Sequence, residues 1–416
     1  MADGNGYRYS LPAGEAGSAG GQTLIAALLP VLLAPHAPST FWIGAVIAME
    51  GLFALTVPYL SGAVSDALPV RFARWFGRRG ALLLCAVPFM AIAIMALPFR
   101  DSFWAMAALA MVYFLALHSY STPLRAMLID ATPRQDWGTV QGVMGAVHLG
   151  GVAFGLVAGG LLYSAWEPLP FLVGGGLLAG TTALTLFAAR RLRLGDDEDH
   201  QGRTRHWRPR AELAFWRDLL GRRRARRFLL ANILWNGGTE GIRPYLFLFA
   251  TTVLGIAVHT ASLAMIAFLG AAIVGSVIVG RVGDRFGRTR ILIIGTLITG
   301  CAMVPGILVR DLAWLLILLV PAGVGAAALV SLPYPVFASL IDEDDIGRST
   351  GAFYMSVGVA RLLAPLAVGA AIDLARPLMP GTAGYPVMWP VAGALVLAGA
   401  AVLRISGVGQ ENGAAH

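Results

Sequence analysis

The sequence predicts an all-α membrane protein, with twelve transmembrane helices in two pseudo-symmetric six-helix bundles. Three observations predict it. The first is composition: 57% of the 416 residues are hydrophobic, only 13% are charged and the mean hydropathy is +0.71. Soluble domains carry about 25% charged residues, and a spanning helix takes about 20 mostly apolar ones, so twelve spans and short links fill this length. The second is that the charges gather in short links between long apolar runs. The third is that one such link occurs twice, as GRVGDRFGRTR at 280–290 and, stretched, as GAVSDALPVRFARWFGRR at 62–79.

Taken in order, the spans fall at about 9–33, 41–64, 80–98, 103–128, 138–163 and 169–189, then at 228–255, 259–280, 291–309, 312–340, 348–373 and 387–405. The first is the least regular, because 13–21 is Gly-rich and carries Glu15. The domains are therefore a first bundle over 1–189, an Arg-rich cytoplasmic linker over 190–227 and a second bundle over 228–416.

All 31 basic residues are Arg, and there is no Lys. A phosphate-binding P-loop needs its Lys, so uphill movement of a solute would draw on an ion gradient. Arg71, Arg74, Arg78, Arg79, Arg134, Arg285, Arg288, Arg290 and Arg348 lie on one set of links together with the central segment. The opposite links hold little beyond Arg100, Arg310 and Arg376. By the positive-inside rule both termini and the linker are cytoplasmic, in a multi-pass protein of the cell (plasma or inner) membrane. The net charge of +8 is thus a matter of topology, and no nucleic-acid partner is expected. Cys85 and Cys301 lie inside apolar runs and read as buried core residues rather than a disulfide. No cleaved signal peptide, metal site or cofactor is expected. Nor is an enzyme, for want of a nucleophile motif, metal-ligand spacing or phosphate loop.

Within the linker, AELAFWRDLL at 211–220 places Phe215, Trp216, Leu219 and Leu220 on one helical face and Glu212, Arg217 and Asp218 elsewhere. That pattern suits a short helix in the inner membrane interface, held by anionic lipid; a solvated linker is the other reading. The linker also separates two halves that repeat. Gly62 and Asp66 match Gly280 and Asp284, and Gly77 matches Gly287 after eight extra residues. Leu128-Ile129-Asp130 matches Leu340-Ile341-Asp342, and Pro123 matches Pro335. A parallel six-plus-six repeat is one known transporter plan.

With these residues assembled, the chain resembles the major facilitator superfamily along essentially its whole length. The family's loop motif runs approximately G-x-x-x-D-R-x-G-R-R. Gly280, Asp284, Arg285, Gly287 and Arg288 match it, with Thr289 departing where a basic residue is usual. In the first half Gly62, Asp66, Gly77, Arg78 and Arg79 match around the insertion 67–76. The expanded loop, the stretch PLRAMLIDATPRQDWGTVQG at 123–142 and RPYLFLFATTVLG in span 7 are similar to the sugar and glycoside proton symporters. Gly142, Gly151, Gly155, Gly159 and Gly160 in span 5 instead resemble the glycine motif of drug–proton antiporters, although Leu156 stands where a proline is expected. Close helix packing explains such glycines equally well.

The resemblance implies a cytoplasmic latch. Gly62 and Gly280 would let helices approach closely. Asp66 and Asp284 would each sit at a helix N-terminus, where an anion is favoured. Arg78, Arg79, Arg285 and Arg288 would pair with Asp130 and Asp342 while the cytoplasmic side is closed.

Ionisable residues at membrane depth are functional candidates by default. Glu240 lies near the middle of span 7 with Arg243 one turn on, either a structural i,i+3 pair or a proton carrier with a cation beside it. Glu50 lies at mid-depth in span 2, Glu15 in span 1, His148 in span 5 and Arg361 in span 11. Histidine titrates nearest neutrality, while Arg361 needs a counter-charge or an anionic ligand. Arg125 reads as structural. Asn236, Trp235, Asn232, Gln22, His118, Tyr120, Tyr334 and Tyr354 can line a cavity or pack in the core.

The expectation is a secondary transporter, monomeric and working by alternating access. It moves a small polar organic solute, a sugar or glycoside for instance, with protons as the coupling ion and Glu240 and Glu50 as leading carriers. Multidrug efflux by proton antiport is the alternative.

Overall fold

The computed structural model describes residues 7, 9–67, 76–133, 137–192, 209–341 and 346–406. Helices make up most of the described residues, with no strand among them. In chain order they are α1 (Ala13–Leu33), α2 (Thr40–Ala67), α3 (Gly77–Ala96), α4 (Phe103–Asp130), α5 (Trp137–Ala153), α6 (Gly159–Ala165), α7 (Leu169–Arg191) and α8 (Pro209–Gly221). They continue as α9 (Arg223–Ile242), α10 (Leu246–Thr252), α11 (Val258–Phe286), α12 (Arg288–Met303), α13 (Leu312–Ser331), α14 (Pro333–Ala338), α15 (Ile346–Ala375) and α16 (Met388–Ile405).

Eleven of the described helical stretches are long and apolar enough to cross a membrane. The remaining predicted span, the seventh, is α9 continued through a 3-10 turn at Arg243–Tyr245 into α10. Its shortfall is chemical. α9 opens on Arg223, Arg224, Arg226 and Arg227 and carries Glu240 near its end, so no long apolar window survives. Pro244 lacks the N–H that a continuous helix would use, which suits the break at that turn. The expected twelve-helix architecture stands.

Two other spans are less regular than expected. Span 5 is interrupted by a π turn at Phe154–Ala158. The run 312–340 is two helices, α13 and α14, broken at Leu332 just before Pro333.

The chain divides into two compact units. One comprises Met1–Ala37 and Leu52–Arg205; the other comprises Pro38–Gly51 and His206–His416. Helix α2 therefore begins in the second unit and ends in the first.

In the first unit α1 is the most enclosed span. Its glycines allow this. A Cβ at Gly17 would stand 2.7 Å from the Leu178 Cα of α7, and one at Gly20 would stand 3.2 Å from the Gly151 carbonyl of α5. Apolar side chains gain nothing by leaving lipid for each other, so small residues that admit close packing hold membrane helices together. The Gly-rich stretch that made span 1 irregular in sequence is what centres it in the fold. Gly14 N donates to Thr185 Oγ1 of α7 at 2.8 Å, and that hydroxyl donates to Leu11 O at 2.9 Å.

In the second unit α9 packs against α15 and α16. Gly241 meets Ala364 and Val368 of α15, and Asn232 Nδ2 donates to Ser356 Oγ at 2.7 Å. The start of α2 docks on the same unit. Asp373 of α15 accepts from Thr40 N at 2.9 Å and from Phe41 N at 2.8 Å, one carboxylate oxygen each. A side-chain acceptor at a helix start satisfies donors that have no partner within the helix; here it comes from 333 residues away.

Cys85 and Cys301 are free and exposed, contrary to the core position expected of them. An apolar run does not reveal which face of a spanning helix turns outward. Helix α8 forms as expected, but Phe215 and Leu219 turn inward while Leu220 stays exposed. The four apolar residues do not present one shared outer face.

Candidate functional site

Two clusters of ionisable side chains lie within spans, one in each unit. In the second unit Asn232, Asn236, Glu240 and Arg243 recur at intervals of three or four residues, which puts them on one face of α9 and its following turn. The side chains form a chain of contacts. Asn232 reaches Ser356, and Asn236 Nδ2 donates to Asn232 Oδ1 at 3.0 Å.

Glu240 takes a different guanidinium on each oxygen: Arg243 Nη1 donates to Oε2 at 3.2 Å, and Arg361 Nη2 of α15 donates to Oε1 at 3.1 Å. The ion pairs are only partly enclosed, with side-chain exposures of 20% for Glu240, 35% for Arg243 and 31% for Arg361. Arg361 Nε is buried and has no hydrogen-bond partner among the described residues.

Glu50 lies on α2, next to the point where that helix packs on α15. It is buried. Gly51 beside it lies so close to α15 that a Cβ there would stand 2.6 Å from Leu362 N. Glu240, Arg243 and Arg361 thus form one group of two cations and one carboxylate, with Glu50 on the stretch of α2 that packs against α15. Trp235 is not part of it. Its ring is fully buried and edge-on to Phe228 at 5.7 Å, in the core of the unit.

In the first unit Glu15 is almost wholly buried. Its Oε1 lies 2.9 Å from His148 Nδ1 of α5 and accepts from Arg125 Nη2 of α4 at 3.5 Å. Its Oε2 is buried with no partner among the described residues. Arg125, read from sequence as structural, faces this carboxylate. Tyr120 shares a hydrogen bond with Thr182 Oγ1 at 2.9 Å one layer away. Tyr334 shares one with Thr350 Oγ1 at 2.8 Å, while Tyr354 is exposed.

The latch residues divide. Asp342 lies outside the described residues. Gly62 and Asp66 fall on the last turns of α2, Gly77 and Arg78 on the first turn of α3, and Asp130 ends α4; their side chains lie outside the described residues. Arg79 is half-buried. Asp284 pairs with Arg288 inside the motif itself, accepting from Nε at 2.9 Å and from Nη2 at 2.8 Å. Arg285 lies over the Phe286 ring at 5.4 Å.

A Cβ at Gly280 would meet nothing within 4 Å among the described residues, so this glycine makes no close approach here. Gly287 has a clear backbone role. Its φ of +94° ends α11 and starts α12, a conformation that favours glycine.

The span 5 glycines pack. A Cβ at Gly155 would stand 2.6 Å from Gly20 O and 2.8 Å from Thr23 Cβ, and Gly151 is as tight against Ala16 and Gly20 of α1. Gly142 has open space around it.

Sequence reading named most of these residues without their pairings. The Asn232–Asn236–Glu240 stripe was legible as an i,i+4,i+8 repeat. The Arg125–Glu15 and Asp373–Thr40 contacts had no local signal, because they join residues 110 and 333 positions apart. Among the described residues no group of three or more His, Cys, Asp or Glu can hold a metal ion.

Comparison with known proteins gives a consistent picture. A family model described as "Major Facilitator Superfamily" matches residues 13–257 and again 237–408. The chain is 23% identical over 345 residues, 79% of each chain, to a "Multi-drug resistance efflux pump PmrA homolog" of Lactococcus lactis subsp. lactis (strain IL1403). Among solved structures, the nucleoside transporter NupG superposes with a TM-score of 0.76 at 14% identity, covering 96% of this chain and 98% of that one. A bacterial homolog of the human lysosomal transporter Spinster gives 0.72 at 14%, covering 98% and 96%. At these identities the structural likeness speaks to the fold alone.

Proposed function

We propose, for a chain that belongs to the Major Facilitator Superfamily, that it is a proton-coupled transporter of a small polar organic solute, working by alternating access. Membership makes it a multi-pass membrane transporter and not an enzyme. The solute, the coupling ion and the membrane are our reading.

The observation that carries the reading is the pair of ionisable clusters inside the spans. Charges at membrane depth are costly, and where they occur they mark solute or ion paths. In the second unit Glu240, with a guanidinium on each oxygen, anchors a polar face built from Asn232, Asn236, Ser356, Arg243 and Arg361. We assign solute binding to that face. Amide, hydroxyl and guanidinium groups suit a hydroxylated solute, in keeping with the resemblance to sugar and glycoside symporters.

We assign the proton to carboxylates of both units. Glu15 shares Oε1 with a histidine, the side chain that titrates nearest neutrality, and its other oxygen is buried without a partner among the described residues. Glu50 is buried on α2, next to Gly51, where a Cβ would stand 3.0 Å from Arg361 Cβ. The arginine distribution supports a cell or inner membrane with both termini cytoplasmic, and we take the working unit to be a monomer.

The test is solute accumulation in proteoliposomes under an imposed pH gradient. Gradient-driven accumulation by wild type is expected, with loss in Glu15→Gln and Glu50→Gln. If both variants accumulate solute as wild type does, the proton assignment fails. If wild type moves solute with no response to the gradient, the coupling fails.

A second reading, drug efflux by proton antiport, has support in the 23%-identical relative's name. The packing of Gly151 and Gly155 against α1 gives the span 5 glycines a purely structural use, which weakens it. Loss of the protein should then raise cellular accumulation of ethidium.

A further inference from the structure

We infer that the corner where α8, α9 and α16 meet binds an anionic phospholipid, on the face of the membrane where the linker lies. Guanidiniums hold its phosphate there, and exposed aliphatic side chains lie along its acyl chains. Arginines of the first turn of α9 build the corner. Arg226 Nη1 donates to Leu220 O at the end of α8 at 3.4 Å, and Arg227 Nη1 donates to Ile405 O at the end of α16 at 2.9 Å. Two neighbouring side chains thus stitch three helix ends together within the second unit.

Charge favours an anion at this corner. Residues 209–230 contain seven Arg and two acidic residues. The side chain of Glu212 lies outside the described residues. Asp218 is already held by Arg222, whose Nε and Nη2 lie 3.0 and 2.9 Å from its Oδ2. Arg217 on α8, Arg223 and Arg226 on α9 and Arg404 on the last turn of α16 are exposed. Arg223 stands three and four residues before Arg226 and Arg227, the spacing at which like charges on a helix repel. A phosphate beside them relieves that repulsion, and the planar fork of a guanidinium matches its oxygens.

The apolar neighbours decide what carries the phosphate. Leu230 follows Arg226 by four residues and Arg223 by seven, which puts the three on one face of α9. The leucine lies roughly 6 Å further into the span than Arg226. It is 47% exposed, Ile405 is 69% exposed, and Leu220, three residues after Arg217 on α8, is 43% exposed. A soluble anion gains nothing from such a face. A phospholipid carries both parts in the matching order, headgroup first and chains beyond, and basic residues beside a span favour an acidic one. The place differs from the one the sequence suggests. Phe215 and Leu219 turn inward, so the lipid sits at the corner and not along an apolar face of α8.

The test uses the purified full-length protein in a maltoside detergent, with dioleoyl-phosphatidylglycerol set against dioleoyl-phosphatidylcholine and soluble glycerol 3-phosphate. Phosphatidylglycerol should raise the melting temperature and survive as a bound adduct in native mass spectrometry. The other two, at the same concentrations, should do neither. Arg217→Gln with Arg223→Gln should keep the melting temperature of the lipid-free protein and lose at least tenfold in affinity for phosphatidylglycerol. Arg281→Gln with Arg290→Gln removes the same charge from two other exposed arginines, on α11 and α12, and should bind the lipid as wild type does.

The inference is overturned if phosphatidylcholine binds equally well, or if glycerol 3-phosphate stabilises the protein as the lipid does, which would make the ligand a free anion. It is overturned too if both double variants lose affinity alike, since the attraction would then follow total charge. Should the first double variant melt early without lipid, Arg223→Gln alone decides, and unchanged affinity removes the site. None of the substituted residues belongs to the ionisable clusters within the spans, so the result leaves the solute and proton assignments untouched.

Discussion

Glu240 and Arg361 stand 121 residues apart in the chain and 3.1 Å apart between Oε1 and Nη2. Their bond ties α9 to α15, and Arg243 completes it from the same side of α9. Removing Glu240 would leave two guanidiniums facing each other. Breaking a fully buried pair costs about 3–5 kcal/mol, and the partial exposure of this one lowers the expectation to about 2 kcal/mol. Glu240→Ala should therefore unfold earlier in a thermal scan. The double variant Glu240→Ala with Arg361→Ala should lose less than the sum of the two single changes, because the pair acts as a unit.

Asp373 caps the first turn of α2 with both carboxylate oxygens. Replacing a capping acid by Ala costs about 0.5–2 kcal/mol. Asp373→Ala should lose that much stability and speed hydrogen exchange at Thr40 and Phe41. Asp373→Asn keeps one acceptor and should fall between the two. Unchanged exchange at both amides would remove the cap.

His148 and Glu15 are 2.9 Å apart. His148→Gln keeps a hydrogen-bonding group for Glu15 without the imidazole ring. Melting temperature should hold while gradient-driven accumulation falls at least tenfold. A variant that melts early and transports normally for its folded fraction would make His148 a packing residue.

The span 5 glycines separate packing from open space within one helix. Gly151→Val and Gly155→Val push into Ala16, Gly20 and Thr23 of α1 and should lower stability by about 1–3 kcal/mol, the range for overpacking. Gly142→Ala meets nothing within 4 Å. It should be neutral or stabilising by up to about 1 kcal/mol, as for Gly to Ala in a helix. Melting temperatures of the three variants decide it.

Much of the architecture was already written in the order of residues. Apolar runs of spanning length and charged links between them set the helices, since no lipid-facing backbone can leave its polar groups unpaired. The repeat at 62–79 and 280–290 set the two-part plan, and the structure puts the motif's Gly287 at the turn between α11 and α12. Facing was not legible. Composition along a span reports depth in the membrane, and an apolar residue suits lipid and core alike, so Cys85 and Cys301 turned out exposed and Trp235 turned inward.

The sequence by itself therefore determined that this is a membrane-spanning bundle in two repeats, with a few charges held at depth. Only the tertiary structure decided how those charges are shared. Glu240 takes two arginines, Glu50 lies buried on the part of α2 that packs against α15, and Glu15 meets His148 and Arg125. The physical reason is that a charge within a span must find its partner, and nothing local in the chain says which distant helix will supply it.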